Sequence, residues 1–250
     1  MTEPEYGDAW VYEGIVGAVP GLDLDARTAL VVQFVLFESA VLALAWVYEL
    51  RWAAIAGTVA VLVTTAGSAL MVSIARHVRR ERTPDAYRRL LFGSNVEVVL
   101  TVFSFIGLVT YLFVVDTGTA AVTFLDGTEK EPLLETLFGS EPPAPAVFLL
   151  LLVTWDVCYR ISAAWWSGVV ALWRSVRFRF DDDTRRGLRR VDVETAAFGV
   201  LQLAFVPFLF DQPLLLALLV AHVGAVVMVT TLAVALLRPP AEKSSASQSD

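Results

Sequence analysis

Residues 146–173 read AVFLLLLVTWDVCYRISAAWWSGVVALW, twenty-eight residues whose only charged side chains are Asp156 and Arg160. A bilayer core about 30 Å thick is crossed by about 20 apolar helical residues at a rise of about 1.5 Å each. The stretch therefore reads as a membrane-spanning helix with length to spare, tilted or projecting beyond the bilayer. Five more segments approach or meet the same requirement: Ala29 to Tyr48, Trp52 to Ala75, Val96 to Val115, Thr195 to Phe210 and Leu214 to Leu237. The expected fold is an all-α integral membrane bundle of six transmembrane helices.

The composition agrees. Of 250 residues 56% are hydrophobic and 18% charged, with mean hydropathy +0.64, whereas soluble domains average about 45–50% apolar and about 25% charged. The domain reading is a 1–28 N-terminal segment, a 29–240 membrane domain and a 241–250 polar, Ser-rich tail expected to be disordered. Spans one and two are separated by Glu49, Leu50 and Arg51, and spans five and six by Asp211, Gln212 and Pro213. Connections this short make each pair an antiparallel hairpin.

Orientation follows from the basic residues, because Lys and Arg near span ends stay in the cytoplasm. Six arginines lie between spans two and three, Arg76, Arg79, Arg80, Arg82, Arg88 and Arg89. Seven lie between spans four and five, Arg174, Arg177, Arg179, Arg185, Arg186, Arg189 and Arg190. The opposite face offers Arg51 and Lys130. Both termini are expected in the cytoplasm of a cell-membrane protein, with the arginine-rich connections against anionic lipid headgroups. Nucleic acid is not expected as a partner, since Asp181, Asp182 and Asp183 interrupt the second patch. A homo-oligomer or a second membrane subunit stays open.

The first 27 residues hold six acids and no base before Arg27, unlike a cleavable signal. Span one is the expected targeting element. Ala9 to Val19, with Trp10 and Tyr12, reads equally as a segment along the headgroups or a disordered tail. The outer connection Asp116 to Pro145 carries six acids and one Lys. Within it Leu133, Leu134, Leu137 and Phe138 recur at helical spacing, predicting a short interfacial helix.

Several chemistries are disfavoured. Cys158, the single cysteine, makes no internal disulfide or Cys-based metal site and reads as a small buried hydrophobe. No lysine lies in a span to hold retinal, and His222 alone among the histidines does, so a haem between two membrane histidines is not expected. Phosphate-loop and dinucleotide fingerprints are missing. Trp165, Trp166, Ser167 and Gly168 with a later His222 faintly resemble rhomboid proteases. Trp165 replaces the first motif glycine, however, and Ser167 lies near the inner end of its span while His222 lies outward of centre. No cofactor, metal or catalytic residue is assigned. A metal held by Glu38, Asp156 and His222 lacks a second histidine and any short ligand spacing.

The informative residues are polar and deep, because a charge in hydrocarbon costs a few kcal/mol and marks an interior position. Glu38 is central in span one, Asp156 and Arg160 in span four, and His222 just outward of centre in span six; Gln202 and Thr64 are secondary candidates. Asp156 and Arg160 are four apart and neutralise each other on one helix face. Glu38, Asp156, Arg160 and His222 either line a hydrated midplane cavity or act as interhelical hydrogen-bonding glue, worth about 0.6 kcal/mol per contact on average. Small residues, Gly57, Gly67, Ser68 and Gly107, are available for close helix contacts.

The two arginine-rich connections share a faint pattern, Arg76, Val78 and Arg79 before Val96-Glu97, and Arg174, Val176 and Arg177 before Val193-Glu194, as a duplicated hairpin would. Glu97 and Glu194 are read as opening spans three and five, where a carboxylate complements the helix dipole. With 17 Arg to two Lys, pI near 4.9 and acids crowded into exposed segments, the whole chain resembles in composition the uncharacterised multi-pass membrane proteins of haloarchaea. That resemblance implies no known chemistry. The leading functional reading is passage of a small solute or ion through a polar midplane cavity. A structural or regulatory membrane subunit acting through its Arg-rich face comes second, and a membrane-embedded enzyme third.

Overall fold

The computed structural model describes residue 10, residues 25–117 and residues 131–239. Eight α-helices follow one another among them: α1 Ala26–Val47, α2 Arg51–Arg80, α3 Asp85–Phe92, α4 Val96–Thr110, α5 Leu133–Phe138, α6 Ala144–Arg177, α7 Asp182–Leu201 and α8 Pro213–Ala235. Six segments are long and apolar enough to cross a membrane, and the described residues contain no strand. The fold is the expected all-α bundle of six spans.

The helix α6 is the axis: it packs on α2, α4, α7 and α8, and 44% of its most apolar window is buried within the bundle, against 6% for α1. The sequence explains the difference. Ala163, Ala164, Ser167, Gly168 and Ala171 let neighbouring helices approach α6 closely, whereas α1 exposes Val31, Val35, Leu36 and Trp46. In a bilayer such a face meets lipid.

Gly57 and Gly67 do mark close approaches, since an added Cβ would lie 2.8 Å from Val41 and 2.7 Å from the Phe198 ring. Gly107 differs from its expectation: nothing lies within 4 Å of where its Cβ would stand.

Two boundaries and one connection depart most from the sequence reading, each through polar helical residues that hydropathy does not register. The helix α2 runs to Arg80 rather than Ala75, so His77 belongs to its last turn and not to a connection. The connection that follows contains α3. The fifth span begins at Asp182 rather than Thr195. There the Asp181 side chain accepts from the Thr184 N–H at 2.8 Å and caps the helix, and Arg185–Asp182 and Arg186–Asp183 pairs support its first turns. Glu194 is therefore mid-helix and has no dipole role, while Glu97 does sit in the first turn of α4. The two arginine-rich connections thus fold differently, which removes the structural support for a duplicated hairpin.

Both ends of the described chain lie at the arginine-rich end of the bundle. Trp10 is buried edge-on against Phe92, ring centroids 5.1 Å apart, and the Phe180 N–H donates to the Arg238 carbonyl at 3.2 Å. The rest of the Ala9 to Val19 segment, residues 118–130 and the 241–250 tail fall outside the described residues. At the opposite end α5 forms where the leucine spacing predicts it, and Leu134 packs with Tyr111 and Leu112.

Candidate functional site

At mid-bundle Asp156 is the hub of a polar network joining α1, α2 and α6. Arg160, one turn further along α6, donates from Nη2 to Asp156 Oδ1 at 2.8 Å. Gln33 Nε2 of α1 donates to Asp156 Oδ2 at 3.1 Å. Ser68 Oγ of α2 lies 3.2 Å from Gln33 Oε1 and 3.0 Å from the Thr64 carbonyl. The Thr64 hydroxyl, which donates to the Val61 carbonyl at 3.1 Å, also approaches the Asp156 carboxylate. Arg160 is 1% exposed, its Nη1 3.3 Å from Met71 Sδ. Gly67 makes room for its stem, the position of an added Cβ being 3.4 Å from Arg160 Cγ. Two opposite charges enclosed this way offset each other's desolvation only while every partner stays in place.

The other candidates have their own surroundings. Glu38 lies five residues beyond Gln33, about 7.5 Å along the helix, and accepts from Thr58 Oγ1 at 2.7 Å; its Oε2 is buried with no hydrogen-bond partner. Gln202 is 1% exposed, with neither amide atom hydrogen-bonded. His222 stands beside Trp165, ring centroids 6.4 Å apart, and its Nε2 is buried without a partner. The structure thus brings Asp156 and Arg160 together with Thr64 and hydrogen-bonds Glu38 to Thr58 instead. Gln33 and Met71 were missed by the sequence reading, and Ser68 was read there only as a small contact residue.

A second network sits nearer the arginine-rich end. Arg174, counted above among the headgroup arginines, is fully buried: its Nη2 lies 2.8 and 3.0 Å from the two Asp192 oxygens and its Nη1 3.2 Å from the Tyr87 hydroxyl. Its Cζ stands 5.2 Å from the Tyr87 ring centroid, a cation–π geometry. Helices α3, α6 and α7 are bolted together there. Alongside, His77 Nδ1 lies 3.2 Å from Glu194 Oε2, joining α2 to α7.

Toward the other end of the bundle lies a cavity of about 610 Å3. Small side chains create it: Ala53, Ala56, Gly57 and Ala60 recur on one face of α2, opposite Ser104 and Gly107 of α4. Leu133, Leu137 and Phe138 of α5 roof it, and Cys158, Ile161 and His222 form its floor. Of the four midplane candidates, His222 lines it. Two irregular segments border it, a π-helical turn at Tyr111–Val115 and a 310 segment at Gln202–Phe208 that contains Pro207. Within a membrane, irregular backbone persists where it is buried in protein or lines a cavity. The Tyr111 hydroxyl donates to Gln212 Oε1 at 2.8 Å, tying the first segment to the turn before α8.

Six apolar helices, internally paired charges and an apolar chamber define a multi-pass integral membrane protein. The chain belongs to the DUF7530 family, a family of unknown function, whose model matches residues 5–233. No curated protein and no solved structure matches it.

Proposed function

We propose that this protein binds a lipophilic molecule in the chamber between α2, α4, α6 and α8, so that the passage reading narrows to an apolar cargo. The observation that carries this is the lining: small and large apolar side chains border a partly open volume within the roughly 300–1,000 Å3 of ligand sites. Asp156 and Arg160 bond to each other and are not among the lining residues, which favours an apolar cargo over an ion. Their network then serves as a clamp that holds the helices around the chamber.

In the same reading the arginine-rich end faces the cytoplasm of a cell membrane, with both termini there and exposed arginines such as Arg79, Arg82 and Arg189 against anionic headgroups. The chamber then opens within the outer half of the bilayer.

The test is photolabelling of the purified protein with hexadecanol carrying a diazirine near the tail end, followed by peptide mapping. Adducts are expected on chamber residues of α2 and α4, and Gly107→Phe, which projects into open space, is expected to remove them. Adducts confined to the exposed faces of α1 and α4 overturn the reading. Orientation is tested by Arg185→Cys in a Cys158→Ser background. An impermeant thiol reagent is expected to react only after the membrane is opened, and labelling of intact cells contradicts it.

A further inference from the structure

We infer that the ligand of this chamber is an uncharged single-chain lipophile whose one polar group, a hydroxyl or a carbonyl, is held between the Ser104 and Thr154 hydroxyls. This rests on the binding reading above and adds the head group that is recognised, the charge that is refused and the two side chains responsible.

Hydroxyls on a helix often turn back to the carbonyl four residues earlier, and Thr101, Ser175, Thr195 and Thr230 do so here at 2.6 to 2.9 Å. Ser104 and Thr154 line the chamber and do not. Neither hydroxyl has a hydrogen-bond partner among the described residues. Ser104 is exposed. Thr154 is 7% exposed, and its hydroxyl is not closed off by protein as His222 Nε2 is. Both side chains therefore keep their hydrogen-bonding capacity for the contents of the chamber.

They also share a depth. Phe105 and Trp155, the residues next to them, meet edge-on with ring centroids 5.4 Å apart where α4 packs on α6. One residue along a helix is about 1.5 Å, so Ser104 and Thr154 stand near the level of that ring contact, on two adjoining walls. One ligand oxygen seated there accepts from both hydroxyls if it is a carbonyl, and accepts from one while donating to the other if it is a hydroxyl.

The rest of the lining decides what the ligand is not. No Asp, Glu, Lys or Arg is among the described lining residues, so an ionised head would lose its hydration with no counter-charge to offset the loss. The Tyr111 hydroxyl is spent on Gln212, the Cys158 thiol is a weak donor, and His222 Nε2 is enclosed by protein. Beyond the two hydroxyls the walls are apolar, and the Ala53, Ala56, Gly57 and Ala60 stripe leads to the roof formed by α5. That is the course of the tail.

The experiment compares three probes that carry a diazirine near the tail end, hexadecanol, hexadecane and hexadecyl sulfate, on the purified full chain in detergent. Wild type, Ser104→Ala, Thr154→Val and the double variant are used, each checked for a monodisperse elution profile. Wild type is expected to label on chamber residues with hexadecanol at about tenfold lower probe concentration than with hexadecane, the worth of one buried hydrogen bond, and not with the sulfate. Each single variant is expected to lose part of that preference and the double variant all of it, while chamber labelling by hexadecane persists. Equal labelling by hexadecanol and hexadecane in wild type, or a full preference in the double variant, overturns the hydroxyl pair and leaves the binding reading intact. Chamber labelling by the sulfate as strong as by hexadecanol overturns the exclusion of charge. Chamber labelling by none of the three overturns the binding reading and the head-group assignment with it.

Discussion

Arg174 Nη2 and Asp192 Oδ2 stand 2.8 Å apart with neither side chain exposed, one on the last turn of α6 and the other in the middle of α7. Removing one member leaves the other charge enclosed. Arg174→Ala is therefore expected to destabilise the protein by about 3–5 kcal/mol. The paired replacement Arg174→Met with Asp192→Leu costs less than either single change, because no unpaired charge remains. Thermal unfolding in detergent checks both, and a double variant less stable than the singles contradicts the buried-pair account.

The mid-bundle network gives a graded series. Asp156→Ala strands the Arg160 guanidinium and is expected to cost about 3–5 kcal/mol. Gln33→Leu deletes one hydrogen bond to the same carboxylate and is expected to cost about 1–3 kcal/mol. Because neither residue lines the chamber, Gln33→Leu should leave hexadecanol labelling unchanged. A variant that keeps its stability but loses labelling would place Gln33 at the ligand instead.

Close packing predicts a compensating pair at Gly67. Gly67→Ala drives a methyl to 2.7 Å from Phe198 Cε2, an overpacking expected to cost about 1–3 kcal/mol. Phe198→Leu removes the opposing ring edge and should recover part of that loss in the double variant. A Gly67→Ala protein as stable as wild type shows that the α2–α7 approach is looser than described.

Helix capping sets an acid limit. Hydrogen bonds from the Thr184 backbone and side chain hold the Asp181 carboxyl below the usual carboxylate range, and Thr28 does the same for Asp25 at the start of α1. A carboxyl depressed on folding contributes stability above its unfolded pKa, near 3.9, and loses it as pH falls through the folded value. Unfolding midpoints of wild type are expected to drop below about pH 4, and Asp181→Asn to flatten that drop. An identical acid profile in the variant rules out the cap as its source.

What the sequence discloses depends on which property a residue advertises. Blocks of about 20 apolar residues place six helices because the bilayer imposes the length, and the i,i+4 spacing of Asp156 and Arg160 is itself a geometric statement. The beginning of α7 is hidden, since its first turns carry Asp and Arg in a pattern that scores as a connection although Asp181 and Thr184 form a cap. Arg174 looks like any cytoplasmic arginine for the same reason: burial depends on its α7 partner. Gln33 is masked because a uniformly apolar helix has no periodicity to show which side faces inward, so depth alone singled out Glu38. The chamber is a property of absent side-chain volume. Gly57 and Gly107 both read as contact-making small residues until the fold shows that Gly57 meets Val41 while Gly107 faces empty space.

Native mass spectrometry of the purified protein titrated with hexadecanol tests the lipophile-binding claim most directly. The account predicts one saturable adduct per chain on wild type and its loss in Gly107→Phe. Several unsaturable adducts, carried equally by both proteins, would contradict it.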